Sequence, residues 1–414
     1  MDKIVVKHIN ILDQDIEVQF DYTDGVAEYF SSGNDAFRVN YSEIIYGVPK
    51  SIAVIPFVAN VLPLVWLTNS ILEIDELDEV FYNSIPDFKM GYEKMYPMFS
   101  FRGKIEVCAI EKNNIRNNRT AMFFSGGVDA FATLIKHRFE KPKLITLFGA
   151  DIKLTDNRAI DIVRARTIET SKYFGLPAPY FVTSNFRQII NEGTLNRLVR
   201  KSSDGWWHGF QHGIGIICHA APIAYINEIG LIYIASSNVK GHHNTCASDE
   251  SIDNYVKYGA TTIHHDQFGL NRQEKIHTIV DYCKKRNDQV FLRVCWQSVG
   301  GCNCCHCEKC YRTIFAIIAE GGDPEKLGFK GYKKYLNNAE HVVKRALLFT
   351  NTSVKDNWQV TINKFREEKN LSNDSRMDWI LILNPYMPYP KLIRHLLEIY
   401  NLMRSIIIKI KKAI

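Results

Sequence analysis

From Thr120 onward the chain changes its hydrophobic rhythm, and that change restricts the fold more than any other feature of the sequence. Short apolar runs at 121–124, 143–148, 179–183, 231–236 and 289–295 alternate with amphipathic stretches, and most intervals have room for a crossover helix. Strands buried on both faces read as unbroken apolar runs, and parallel neighbours need long connections. The pattern therefore predicts an α/β fold with a parallel sheet covered on both faces. Residues 206–229, rich in Gly and Ala, read as a helical segment packed close to that sheet. Ahead of it, two-residue alternation at 16–20, 27–30 and 37–41, punctuated by Asp24-Gly25 and Ser31-Ser32-Gly33-Asn34, predicts an antiparallel meander. Residues 52–96 look helical and mixed, 101–110 look like one more strand, and 113–119 form a polar linker. After Arg312 the chain is helical and polar. Three regions result: a β-rich N-terminal region (1–115), a central α/β domain (116–320) and a helical C-terminal region (321–414).

The apolar fraction of 46% and charged fraction of 23% exclude disordered, collagen-like and coiled-coil classes. A net charge of +6 spread along 414 residues, with no basic stripe interleaved with aromatics, gives no strong nucleic-acid signal. Residues 1–19 alternate charge and aliphatics rather than showing a signal segment, which places the expected location in the cytoplasm. The apolar stretch 52–67 carries Pro56, Asn60 and Pro63 and is about one turn short of a membrane span, so a buried helix is expected. At the other end, 391–414 sets Leu392, Leu396, Ile399, Met403, Ile406 and Ile410 on one stripe. That segment either docks on the protein or lies on an acidic membrane surface as a peripheral contact.

The strongest local signal is Phe123-Phe124-Ser125-Gly126-Gly127-Val128-Asp129-Ala130, an apolar strand running into a glycine turn and then an amphipathic helix. Glycines permit the sharp turn, and the first N–H groups of the helix then face whatever occupies the loop. Such a terminus favours anions, phosphate above all. The sequence is neither of the common phosphate-loop patterns, G-x-x-x-x-G-K-[ST] or G-x-G-x-x-G.

A second signal is the crowding of cysteines. Six of the ten lie between Cys295 and Cys310, and Cys295, Cys304, Cys307 and Cys310 have the spacing C-x8-C-x2-C-x2-C. Paired C-x2-C knuckles with one distant ligand suit a closed tetrahedral zinc site, which is structural. Iron–sulfur ligation and a redox disulfide are the competing chemistries. Cys302, Cys305 or His306 offer alternative ligands. Cys108, Cys218, Cys246 and Cys283 read as ordinary buried thiols.

Ser125-Gly126-Gly127-Val128-Asp129 resembles the pyrophosphate loop of the PP-loop ATP pyrophosphatases, enzymes of Rossmann-like, adenine nucleotide alpha-hydrolase fold. Together with the cysteine spacing, residues 119–320 resemble 7-cyano-7-deazaguanine synthase, and Cys304 to Arg312 is similar to that family's C-G-x-C-x-x-C-x-x-R. A weaker likeness links the N-terminal region and the cysteines to muramoyl-dipeptide glutamate epimerase, with Val128 where that family has Lys. These likenesses imply ATP and Mg2+ as cofactors beside Zn2+. They also imply cleavage of ATP to AMP and pyrophosphate while a small-molecule carboxylate is adenylated, followed by amidation or a related transfer. Ser125, Gly126, Gly127, Val128 and Asp129 would hold the pyrophosphate, with Asp129 near magnesium or the loop closure; Ala130 stands where the family usually has a second Ser. Adenylation-coupled epimerisation, tRNA modification and non-catalytic nucleotide binding are the alternatives.

Strand ends line the ligand crevice of such sheets, so Phe148, Ser236 and Ser237 join the nucleotide-binding candidates, although a turn or cap role also suits Ser236 and Ser237. Asp129 and His212 are the catalytic candidates; Gly213 beside His212 would let a nucleotide approach. His208 and His212, four apart on a helix, otherwise read as packed polar positions. Residues 240–253 read as a substrate loop or a connector, His264-His265-Asp266 as a surface turn, and Arg293 as packing around the cysteine knuckle. Arg187 reads as a helix-start ion pair or an acidic-substrate contact.

Overall fold

The computed structural model describes residues 1–33, 36–113, 118–237, 245–295, 300–368 and 374–387. They form an α/β protein built on one mostly parallel sheet of eleven strands. In chain order these are β1 (Lys3–Ile11), β2 (Asp15–Tyr22), β3 (Ala36–Tyr41), β4 (Ile71–Asp78), β5 (Lys104–Glu111), β6 (Arg119–Phe123), β7 (Lys143–Phe148), β8 (Tyr180–Ser184), β9 (Ile229–Ala235), β10 (Lys257–Tyr258) and β11 (Thr261–Asp266). Their order across the sheet is β10-β11-β9-β6-β7-β8-β3-β2-β1-β4-β5.

The burial of each strand follows its sequence. β7, KLITLF, is buried along most of its length, as an interior strand must be, whereas β2, DIEVQFDY, alternates buried and accessible residues. β11-β9-β6-β7-β8 run parallel. The chain passes from β6 outward through β7 to β8, then returns to the other side of β6 for β9 and β11. Between β6 and β9 the winding therefore reverses, and beyond the carboxyl ends of such strands a crevice opens.

The expected boundary at 115/116 falls within this sheet. β3 pairs antiparallel with β8, from Val39 opposite Ser184 to Tyr41 opposite Val182, and so joins the N-terminal strands to the parallel set. The chain packs as two compact units, Met1–Val294 with Ser298–Cys302, and Cys295–Gln297 with Asn303–Ile414.

The first unit's core is centred on helix Ile55–Thr68, buried from Ile55 through Trp66. Pro56 sits in its first turn, where the missing N–H costs nothing. Buried Asn60 is satisfied: its amide donates to Pro56 O at 2.8 Å and accepts from Gln211 Nε2 at 2.9 Å. No helix among the described residues is long and apolar enough to cross a membrane.

Several elements differ from expectation. Residues 24–27 form a helical turn, and 27–30 make only a bridge from Phe30 to Ile190 instead of a strand. β4 follows directly on the Ile55–Thr68 helix, within the stretch read as mixed. Residues 206–229 are a broken succession of short turns, including a π-helical turn at Trp207–Gln211. The fifth parallel strand is β11; 290–295 is irregular, with Arg293 N–H donating to Gly126 O at 2.7 Å.

The second unit is helical, as its sequence predicts: Glu308–Ala319, Ala339–Leu347, Thr352–Glu367 and Trp379–Ile382. Phe315 is its hub, with ring centroids 6.0 Å from Trp358, 6.3 Å from Phe365 and 5.5 Å from Trp379. The stripe at 391–414 lies outside the described residues.

Candidate functional site

The glycine loop sits where β6 ends. Gly126 has φ of 74°, a conformation glycine adopts without strain, and Gly127 leads into helix Val128–His137. No side chain caps that helix. The first N–H groups of any helix have no intrahelical acceptor, and such a terminus favours an anion. Gly127 N–H lies 3.3 Å from Ser125 Oγ, and Arg293 braces the loop by donating from Nε to Ser125 O at 3.2 Å.

A cleft of about 200 Å³ opens beside the loop, lined by Ser125, Asp129, Ala130, Asp151, His212, Ser237, Ser248 and Arg293 together with apolar residues of β6, β7 and β9. Ser125, Asp129, His212 and Ser237 thus meet, as the sequence reading requires. Phe148 does not join them: it is buried in a separate apolar cluster with Ile152, Val163 and Phe181. Val128 is also buried, as the core-facing residue of the helix's first turn. Ser236 is fully buried, its carbonyl accepting from Lys275 Nζ at 2.6 Å, so the lining hydroxyl is that of Ser237.

Asp129 is bound by two cations of helix Arg272–Arg286: Arg272 Nη1 lies 3.1 Å from Oδ2 and Lys275 Nζ 3.3 Å from Oδ1. Lys275 is almost fully buried. With Arg293, three cationic groups surround the loop, and none was legible as a site residue in the sequence. Arg293, read in the sequence as packing around the cysteine knuckle, braces the glycine loop.

His212 is approached from behind by Cys246, whose Sγ lies 3.8 Å from Nδ1. His208 hydrogen-bonds Asp204, with Nδ1 2.9 Å from Oδ1, and Asp204 Oδ2 also accepts from Tyr96 and Thr245 hydroxyls, each at 3.0 Å. The Asp204 hydrogen bond, with help from Cys246, raises His208 to about 10. Burial raises the Cys246 thiol, but hydrogen bonds and charge from His208 and His212 outweigh it and bring it down to about 6. Cys246 is therefore not an ordinary buried thiol. Gly213, at φ 84°, serves this packing too: a Cβ there would lie 2.3 Å from Ala247 O. Its smallness admits protein backbone, not nucleotide.

His264-His265-Asp266 is the end of β11, not a surface turn. His265 and Asp266 are buried; His265 Nδ1 lies 2.8 Å from Asp253 Oδ2, and Asp266 Oδ1 lies 2.5 Å from Lys136 Nζ. Arg187 pairs with Glu192 at 2.6 Å, the helix-start ion pair expected by default. Of 240–253, residues 240–244 lie outside the described set, and Ser248 lines the cleft.

In the second unit, Cys295, Cys304, Cys307 and Cys310 bring four sulfurs within 4.8 Å of one another. Cys295–Cys307 and Cys304–Cys310 are each 3.8 Å apart, sulfur to sulfur. Sulfurs about 2.3 Å from a central zinc form a tetrahedron with edges of roughly 3.8 Å, so the four are positioned to hold a metal ion and suit zinc. Cys307 is the N-cap of helix Glu308–Ala319 and Cys310 lies in its first turn, while Asn303 Oδ1 accepts from Cys295 N–H at 3.3 Å. Cys302 is exposed and outside the set. Cys305 has φ of 62° and points its thiol toward the carbonyls of Asn303 and Lys330, so it shapes the turn. His306 Nδ1 bonds Cys304 O at 2.7 Å and does not join the ligands.

In comparisons with known proteins, no family model, no curated protein and no solved structure matches the chain.

Proposed function

We propose that the chain is an ATP-cleaving enzyme of the PP-loop type that forms AMP and pyrophosphate while adenylating a small-molecule carboxylate, which an amine or ammonia then captures. The observation that carries this reading is the uncapped helix terminus after β6, opening with Ser125, Asp129, His212 and Ser237 on one cleft at the winding reversal. The order β8-β7-β6-β9-β11, with the glycine loop on its central strand, supports a Rossmann-like arrangement.

The pyrophosphate moiety of ATP would lie against the loop N–H groups, with Arg293 and the Asp129-bound pair Arg272 and Lys275 supplying positive charge. Bound ATP supplies the phosphorus at which the carboxylate is activated. The protein's contribution is preorganised charge: fixed N–H dipoles and cations need no reorganisation as negative charge grows on the leaving group. Asp129 gives both oxygens to cations, so for Mg2+ the better-placed carboxylate is Asp151, which lines the cleft and forms no ion pair among the described residues. The apolar wall of Phe123, Ile145, Leu147 and Ile234 suits a flat, weakly polar body such as a purine or an aromatic acid. The metal centre has a folding role.

The test is a pyrophosphate-release screen with carboxylates, including carboxy-deazaguanine, amino acids and sugar acids. A productive substrate gives AMP and pyrophosphate in equal amounts, and Asp129→Asn abolishes both without loss of zinc. Turnover retained in Asp129→Asn refutes the assignment. ATP binding with no AMP under any carboxylate would instead identify a nucleotide-binding protein, the outcome for which Ala130 at the cleft is the motive.

A further inference from the structure

Cys246 is nearly inaccessible and does not line the cleft, yet its thiol lies between two imidazoles, one of which does. The π-helical turn at Trp207–Gln211 carries His208 and delivers His212 one residue beyond it. Ala247 N–H bonds His208 O at 2.8 Å, which fixes the segment carrying Cys246 against that turn. At the far end Asp204 accepts from His208, Tyr96 and Thr245 together. A buried thiol so placed reaches a ligand only through His212, whose Nδ1 faces the sulfur and whose Nε2 has no hydrogen-bond partner among the described residues.

We propose that Asp204, His208, Cys246 and His212 form a charge relay, hydrogen-bonded from His208 to Asp204 and from His212 to Cys246, whose last member presents an imidazolium N–H to an anionic group of the ligand in the cleft. Cys246 is then a positioning residue and counter-ion, and His212 is the group that touches the ligand. The charge logic agrees: burial alone pulls His212 down, and the hydrogen bond and negative charge of Cys246, aided by Asp151, reverse that into a net rise. From the neighbouring elements, Asp151 and Asp253 also face His212, with the Trp207 ring 5.0 Å away. Around Cys246 the further titratable groups are Tyr92 and Tyr96 of helix Glu79–Met95, and His265 of β11. The phosphate of a nucleotide is the anion this inference names, and to that extent it rests on the adenylation reading.

Histidine-selective NMR tests the relay without any ligand, with His212→Gln identifying the resonance. The wild type should hold His212 protonated at pH 7.5, and in Cys246→Ser its titration midpoint should fall by at least one pH unit. A neutral His212 in the wild type at pH 7.5 overturns the relay, whether or not the variant folds, as does an unchanged midpoint in folded Cys246→Ser. ATP titration tests the anion role. Cys246→Ser should bind ATP about tenfold more weakly than the wild type at pH 7.5, and the gap should narrow as the pH is lowered and the variant's imidazole gains its proton too. Equal affinity at pH 7.5 overturns that role. A wild type that binds no ATP refutes the nucleotide reading instead, and the NMR midpoint still decides the relay.

Discussion

The cysteine centre and the glycine-loop cleft solve the problem of gathering polar groups in opposite ways. The centre takes four identical donors from sixteen consecutive residues, and one helix start with two tight turns is enough to converge them. The cleft draws Ser125, Asp151, His212, Arg293 and the pair Ser237 and Ser248 from five different connections, and the crossing pattern of the sheet brings them together. A local site depends on a few contacts and fails as a whole when one ligand is lost. A site assembled by topology depends on the entire core, and its members can be removed singly.

The largest effect should break the centre. Cys304→Ser or Cys310→Ser should abolish bound zinc, measured by elemental analysis, and the cooperative melting of the helical unit should go with it. Structural zinc sites contribute roughly 10 kcal/mol or more of apparent binding energy to folding. Retention of one zinc per chain would show that Cys302 or Cys305 can substitute.

On the cleft side, Arg293→Ala should raise the KM for ATP about tenfold in the pyrophosphate assay and leave zinc content unchanged, since a charged hydrogen bond contributes about 1.5–3 kcal/mol. Equal kinetics would return Arg293 to a packing role. Gly213→Ala should cost about 1–3 kcal/mol in chemical denaturation, because a positive φ and a blocked Cβ coincide there.

The smallest effect concerns pH. His208, raised to about 10, stabilises the fold fully below its ordinary 6.5 and loses that contribution as pH rises through 10; Asp204, lowered, contributes above its ordinary 3.8. The Tm difference between wild type and Asp204→Asn should therefore be widest between those ordinary values and fade above about pH 10. His208 is more than half exposed, so solvent screening holds the difference to about a few degrees. A difference that grows toward pH 10 would contradict the pair.

The same contrast explains what was readable in the sequence. The thiolate spacing and the glycine turn announce themselves because each is local: a C-x2-C knuckle and a strand–Gly-Gly–helix junction carry their geometry in adjacent residues. β11 was hidden because Thr261–Asp266 carries His265 and Asp266 into a buried position that Asp253, Lys136 and His137, none of them on that strand, help make tolerable. Residues 289–295 have strand composition, yet no strand of the sheet is formed by them among the described residues. β4, ILEIDELD, is acidic and follows a helix after a two-residue break, so its pairing with β1 and β5 could not be anticipated. Cys246 was missed for a similar reason: nothing within four described residues of it reveals that two histidines more than thirty positions earlier will flank it.

The pairing of β3 with β8 has a consequence for any attempt to dissect this protein. A fragment beginning at 116 would leave β8 with an open row of backbone donors and acceptors, the kind of edge along which separate chains add to one another. The N-terminal strands thus act as a built-in cover for the parallel half of the sheet. Trimming the chain to its central α/β part should yield a self-associating fragment in place of a smaller folded domain.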